Sequence, residues 1–459
     1  MFLIVGNGMV ALAIAAGLSR SVPGERIQVV GPAARPYSAS MAAAAMLNSF
    51  AELEPGALDH PRDRLKFELS QASARLWENF VEEFEIPAEH YRLGTVVVNN
   101  NASNRFEDDA FDAIAGYLDE FSEPYERVDP HLEPAYVPGA NYRTRQALFL
   151  PREGVLNPDG VIHALQATLE KRGVRFVDGV VKSLDKINGR TRGVTLEDGR
   201  VLGAERVVLA NGSMATRLWG EEGCIRVING VGATVVLKNP GIKGRYVLRT
   251  PNRGGACGIY HAPYQDDQFV VGATNLVTTA DEHYPRAESV AALINGAINQ
   301  VNHLHRTSGF IRYNFGYRPL SLDGYPVIGQ LNDNTFIASG TRRDGYHFAP
   351  WLADNLAALL LDKPISAPAK AYFEFTRPQR SAWLDQSVEA CCRKYAAVKC
   401  SALSQHGFDA GHTDADQALE QYYYQRARAF FDKHELKQTI QVDFLDALLG
   451  GYLSLSDFA

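Results

Sequence analysis

The chain has 459 residues, of which 46% are hydrophobic, 22% charged and 10% aromatic, with a formal net charge of -7. At about 100 to 200 residues per domain that length implies two or three units, and the composition is that of an ordinary globular protein rather than a fibrous, disordered or membrane one. Lys and Arg are scattered without a long basic block, so the footprint of a nucleic-acid-binding protein is missing, although a nucleotide could still be the carrier of a substrate.

The chain opens with the apolar run Phe2-Leu3-Ile4-Val5, then Gly6-Asn7-Gly8, the Ala- and Leu-rich Met9 to Ser19, and Ile27 to Val30. This reads as strand, glycine turn, helix, strand. Ser38 to Leu47 consists mostly of small residues and is expected to lie against something flat. Leu65 to Phe84 carries a helical period through Leu69, Ala72, Leu76, Phe80 and Phe84. From Gly94 the pattern turns to strands at Thr95 to Val98 and Ala147 to Leu150. A helix over Pro158 to Arg172 leads to strands at Val174 to Val177, Gly193 to Leu196 and Val207 to Ala210.

The stretch 221–310 mixes strands (Ala233 to Leu237, Phe269 to Val271) with a helix near Ser289 to Leu304, which suggests a separate α+β unit. Phe310 to Leu361 resumes glycine-punctuated strands and a helix. Beyond Pro364 and Pro368 two helices are predicted, Glu389 to Ala402 and Asp414 to Lys437, the second with Leu419, Tyr423, Ala427 and Phe430 on one face. Packing on the body or a dimer contact is the expected role of this tail.

The cysteines Cys224, Cys257, Cys391, Cys392 and Cys400 form neither a paired framework nor a metal-binding spacing. They read as reduced thiols, with Cys391 and Cys392 serving packing. The opening run lacks the flanks of a signal peptide, and no apolar stretch reaches the roughly 18 residues of a membrane span. A cytoplasmic protein with no membrane association is expected.

Gly6-x-Gly8-x-x-Ala11 follows a strand and opens a helix, the context in which glycines let a pyrophosphate approach a helix N-terminus. Gly6 would permit the tight turn, Gly8 the phosphate approach, and Ala11 with Ala15 the close packing of helix on strand. Taken alone, these residues could also serve a plain strand-turn-helix, the lesser of the two readings. The acid expected at the end of the second strand is missing, and Gly31-Pro32 stands in its place.

Further segments carry a resemblance. Ser38 to Leu47, Val207 to Gly212, Gly316-Tyr317-Arg318-Pro319-Leu320 with Asp323 to Gly329, and Gly340 to Pro350 together resemble the D-amino acid oxidase superfamily of FAD-dependent oxidoreductases, nearest to its glycine oxidases, over residues 1–370. The resemblance implies an α/β plus α+β architecture: a Rossmann-like FAD-binding domain (1–90, 145–220 and 310–370), an antiparallel-sheet substrate domain (91–144 and 221–309) and a helical C-terminal extension (371–459).

It also implies cofactor contacts at Gly6, Gly8, Ala11, Ser40, Ala43, Ala44, Ala45, Met46, Val181, Ala210, Gly212, Gly316, Arg343, Asp344, Gly345 and Tyr346. Arg318, Arg343 and Tyr260 are implied for the substrate carboxylate, since a guanidinium binds a carboxylate through a planar fork. Any one arginine could instead be a surface ion pair. Some relatives link flavin covalently through a cysteine near the Arg-Pro motif, but no cysteine lies between Cys257 and Cys391 here, so noncovalent FAD is expected. Thr341-Arg342 and Tyr346-His347-Phe348 depart from the family pattern, which implies a different substrate side.

The function expected is an amine or amino-acid oxidase that passes a hydride from Cα of glycine or a small amino acid to flavin N5, with O2 or another electron acceptor closing the cycle. Two alternatives remain open: cleavage of an N-linked glycine unit on a larger molecule such as a modified nucleotide, and a non-catalytic flavin-binding subunit. His261 and His347 read as hydrogen-bonded structural residues. His283, His303 and His305 lack partners at ligand spacing, so no metal is expected. A homo-oligomer is possible.

Overall fold

The computed structural model describes the whole chain except residues 102, 104, 221–223, 253–257, 280–281, 406–413 and 459, so Cys257 lies outside the described residues. The strand Phe2–Val5 sits inside a six-stranded sheet. Ile27–Val30 and then Arg175–Val177 flank it on one side, and Arg206–Leu209, Thr335–Ser339 and Val327–Asn332 on the other. All pairs are parallel except the last, a hairpin. Successive strands leave Phe2–Val5 in opposite directions, so their carboxyl ends open a crevice beside it, where doubly wound sheets bind ligands.

Side-chain alternation divides the two faces of this sheet. Ile4, Val29 and Val208 pack with the helices Met9–Ser19, Pro158–Lys171 and Ala349–Leu360. Leu3, Val5, Val30 and Leu209 pack on the opposite face. There they meet a three-stranded meander (Val181–Ile187, Arg190–Leu196, Val201–Gly203) and the C-terminal helices.

A second, ten-stranded sheet is antiparallel except where Val247–Arg249 runs parallel to Tyr91–Asn100. Its longest pairing joins Val227–Lys238 to Gly309–Ser321. The small-residue segment passes from one sheet to the other as a short helix, Ala39–Ala42, and a strand, Met46–Leu47. It lies flat on Gly309–Ser321, where a Cβ on Gly316 would stand 2.7 Å from the Ser38 carbonyl oxygen.

Several predicted elements change. The helix expected over Leu65 to Phe84 is two, Pro61–Ala74 and Trp77–Glu83, broken where Ser73 Oγ and Trp77 Nε1 both donate to the His347 carbonyl. The helix expected to reach Leu304 is α-helical only over Ala287–Gly296 and continues as a π-helical stretch, Ala297–Val301, and a 3-10 helix, His303–Thr307. Between Gly94 and Pro158, where only strands were expected, the helix Arg105–Glu120 buries Phe111, Ile114 and Leu118.

The tail forms Val388–Gln405, Asp414–Lys433 and a further helix, Val442–Leu449. Cys391 and Cys392 are buried as packing residues, as expected, and Ala427 with Phe431 rather than Phe430 forms the fully buried part of their neighbour. Among the described residues no helix is long and apolar enough to cross a membrane.

Candidate active site

A cavity of about 640 Å3 runs from the Gly6-Asn7-Gly8 turn, between the two sheets, to Arg318. At its nucleotide end Gly6 has φ +110, and a Cβ there would meet the Ala210 carbonyl oxygen at 2.4 Å. Gly8 also makes room for a neighbour that the sequence did not single out for it: its Cβ would lie 2.9 Å from Ser40 Oγ. That hydroxyl accepts from Met9 N at 2.9 Å, capping the buried helix from a distant segment. The missing acid also has a cause. A Cβ on Gly31 would come within 2.7 Å of Asn7, whose Nδ2 donates to the Pro32 carbonyl at 2.9 Å.

The cavity wall brings together Gly6, Gly8, Ser40, the run Ala43 to Met46, Val181, Ala210, Gly212 and Gly316, with Arg343 to Tyr346 closing one side. Of the residues expected at the cofactor, Ala11 alone lies off this wall, fully buried against the sheet. The site fits FAD on a second ground: Asn211 Oδ1, at the wall, is buried with no hydrogen-bond partner among the described residues. A buried acceptor at the wall leaves a place for a donor from a bound cofactor. Arg35, which the sequence did not single out, also lines the cavity, its Nε donating to the Asn7 carbonyl at 3.1 Å.

At the far end Arg318 projects from the strand Gly309–Ser321, and Gly232 on the paired strand leaves space for it, since a Cβ there would lie 3.0 Å from Nη2. Its Nη1 donates to Asn275 Oδ1 at 2.5 Å. Tyr260 is buried in the same wall. Arg343 has an acidic neighbour that the sequence reading missed, Glu52, at 3.6 Å. On its other side Glu52 faces Arg249 at 3.4 Å, an arginine only 1% exposed. Burial would raise the Glu52 carboxyl, but the two guanidinium groups outweigh it and hold the carboxyl below its ordinary range.

The turn that carries Glu52 is set in place by another acid, the buried Glu153. Glu153 accepts from Ser49 N at 2.7 Å and Phe50 N at 2.5 Å, with Ala51 N at 3.3 Å from its other oxygen. Burial pushes its carboxyl up to about 7 against the pull of these donors and Arg249. Because the folded value lies above the ordinary 4.5, the stabilising contribution of the protonated form is full below about 4.5 and is lost as pH rises through 7. Glu153→Gln, which keeps an acceptor without the charge, should therefore gain stability relative to wild type between pH 5 and pH 8, by up to about 3 kcal/mol. Thermal melts of both proteins across that range test this, and a pH-independent difference in Tm would reject it.

The departures from the family pattern are internal ties. Tyr346 Oη donates to the Ser40 carbonyl at 2.9 Å, and His347 Nε2 lies 3.0 Å from both Ser49 Oγ and the Ser70 carbonyl. Burial lowers the His347 pKa, which favours the neutral ring. His261 lies off the cavity wall, its Nε2 3.0 Å from His305 Nε2. Among the described residues no cluster of His, Cys, Asp or Glu is arranged to hold a metal ion.

A doubly wound sheet with a glycine turn at its crevice, joined through a shared cavity to a large, mostly antiparallel sheet, is the architecture of a dinucleotide-binding protein. The chain belongs to the FAD-dependent oxidoreductase family, whose model matches residues 1–359. Its fold is similar to that of iminodiacetate oxidase from Chelativorans sp., with a TM-score of 0.69 and 20% identity over 82% of this chain and 99% of that one. Glycine oxidase from Geobacillus kaustophilus gives 0.67 and 21% over 83% and 98%. In sequence, the chain is 26% identical over 225 residues to the tRNA 5-methylaminomethyl-2-thiouridine biosynthesis bifunctional protein of Idiomarina loihiensis. That match covers 47% of this chain and only 34% of the relative's length.

Proposed function

We propose that the protein oxidises an amine whose α-carbon carries a carboxylate, glycine or a small amino acid, removing the Cα hydrogen to give an imine that water hydrolyses to an oxo acid and a free amine. The observation that carries this reading is Arg318, oriented by Asn275 in the wall of the cavity that begins at the dinucleotide turn. In this reading Arg318 forks the carboxylate, Tyr260 packs beside it, and Glu52 faces the amine nitrogen. Arg343, expected to share the carboxylate, also lines the cavity and helps hold Glu52 ionised. The turn residues Gly6 and Gly8, the Ala43 to Met46 segment and the Arg343 to Tyr346 loop hold FAD, which supplies the hydride acceptor when bound. Positioning supplies much of the rate in such chemistry, so no nucleophile or paired-acid device is needed.

A second reading is favoured by the likeness to the bifunctional tRNA-modifying protein. In this second reading the substrate of the present chain is an N-linked glycine unit on a larger molecule such as a modified nucleotide. Tyr37 supports it: 39% exposed at the cavity wall and stacked on Tyr317 with centroids 5.2 Å apart, it offers a ring on which a base could stack. Anaerobic mixing with glycine, sarcosine and bulkier N-alkylglycines tests both readings. Bleaching of the flavin by glycine at a rate matching the others favours the small substrate, and bleaching that rises with the size of the N-substituent favours the nucleotide. A flavin left oxidised by every carboxylate-bearing amine removes both and supports a non-catalytic subunit. Oxygen uptake in the same series distinguishes O2 from another acceptor.

A further inference from the structure

The family model ends at residue 359, yet the segment beyond it makes several contacts with the rest of the chain, one of them at Arg342 in the cavity wall. Asp443, at the start of the helix Val442–Leu449, forms an ion pair with Arg342, whose side chain is 28% exposed against 11% for its own. Lys394 Nζ lies 3.3 Å from Glu54, two residues beyond Glu52. Tyr452 meets Thr279 and Arg286, each at 3.5 Å. Beneath these contacts Tyr395, Phe431, Phe444 and Leu445 share one buried cluster with Leu3, Val5 and Leu209 of the nucleotide sheet.

The Asp443 contact reaches farthest into the site. Arg342 has φ +52, a left-handed backbone state that residues other than glycine adopt uncommonly. Its N–H donates to the Pro319 carbonyl at 3.0 Å, next to Arg318, and Thr341 bridges Leu320. Asp443 grips the side chain of this residue. Nearby, Gln441 Nε2 donates to the Asp323 carbonyl at 3.1 Å, and Arg380 binds the Asp323 carboxylate at 2.6 and 2.8 Å. The extension thus pins both the turn after the Arg318 strand and the loop 341–347.

We infer that the C-terminal extension is part of the active-site scaffold, with Asp443 a positioning residue that acts through Arg342 to set the loop 341–347 against the flavin. The inference rests on the reading that this loop faces FAD. It is tested by the rate of FAD release from the holoprotein, followed by recovery of flavin fluorescence, and by the flavin midpoint potential. Asp443→Asn and Arg342→Gln should each speed release about tenfold and shift the potential, Asp443→Glu should restore both, and the double variant should be no worse than Arg342→Gln alone.

A packing role alone would lower Tm with release and potential unchanged in the folded protein, and that result overturns the inference. Arg342→Gln releasing FAD as wild type does also overturns it, whatever the folding of the Asp443 variants. Gly345→Val, which alters the loop directly, separates the two failures. If it disturbs FAD while the Asp443 and Arg342 variants do not, only the scaffold role falls. If it too leaves FAD untouched, the reading of the loop falls first.

Discussion

Replacing Arg318 with leucine is expected to leave FAD bound and to lower kcat/KM for a carboxylate-bearing amine by about 100-fold or more, the loss of a forked pair of charge-assisted hydrogen bonds. FAD should stay because the nucleotide turn, the Ala43 to Met46 segment and the loop 343–346 are supplied by other parts of the chain, while Arg318 stands at the far end of the cavity. The loss should fall mainly on KM if the fork only anchors the substrate, and on kcat as well if it aims Cα at the flavin. Arg318→Lys keeps the charge without the fork and should lie between the two. The visible spectrum and steady-state kinetics with glycine and glycinamide check this. The amide, lacking the carboxylate, should be equally poor for wild type and variant. An unchanged KM for glycine would mean that the carboxylate binds elsewhere.

The parts of this site that were legible in the sequence are those built from neighbours along the chain. Strand, turn and helix from Phe2 to Ser19 could be read because the apolar period and the glycines lie in one continuous stretch, and the sheet reproduces them residue for residue. Arg318 and the loop around Arg343 could be placed only through the family resemblance, and the cavity brings them together. What escaped was made by distant partners. Ser40 caps Met9 from 31 residues away, Glu153 shapes the turn before Glu52 from 104, and Asp443 reaches Arg342 across 101. A lone Glu52 carries no periodic or spacing signal. Its importance comes from Arg249 and Arg343 folding against it. The missing acid at Gly31 was legible as an anomaly but not as a cause, because the residue that fills its place, Asn7, sits on the preceding strand's turn.

Gly6→Ala should be the most damaging single methyl in the nucleotide end, and the comparison with Gly8→Ala separates what each glycine does. At Gly6 the backbone has φ +110, and the added carbon would stand 2.4 Å from the carbonyl oxygen and 2.7 Å from the carbonyl carbon of Ala210. Neither obstacle is a side chain that can swing away. Ala210 is tied to the neighbouring strand, since its N–H donates to the Val5 carbonyl at 2.8 Å, and Gly6 N donates to the Val30 carbonyl at 2.7 Å. Relief therefore requires the central strands to part, at a combined cost of about 2–5 kcal/mol from backbone strain and overpacking. At Gly8 the obstacle is the Ser40 hydroxyl, at 2.9 Å, which can rotate. The cost there is the cap on Met9, about 1 kcal/mol. Denaturant unfolding of the two apoproteins should thus place Gly6→Ala well below Gly8→Ala, while FAD titration finds both impaired. The reverse order of stability would mean that the turn answers to the bound phosphate alone, and that the close approach of Gly6 to Ala210 has no bearing on how the two strands are joined.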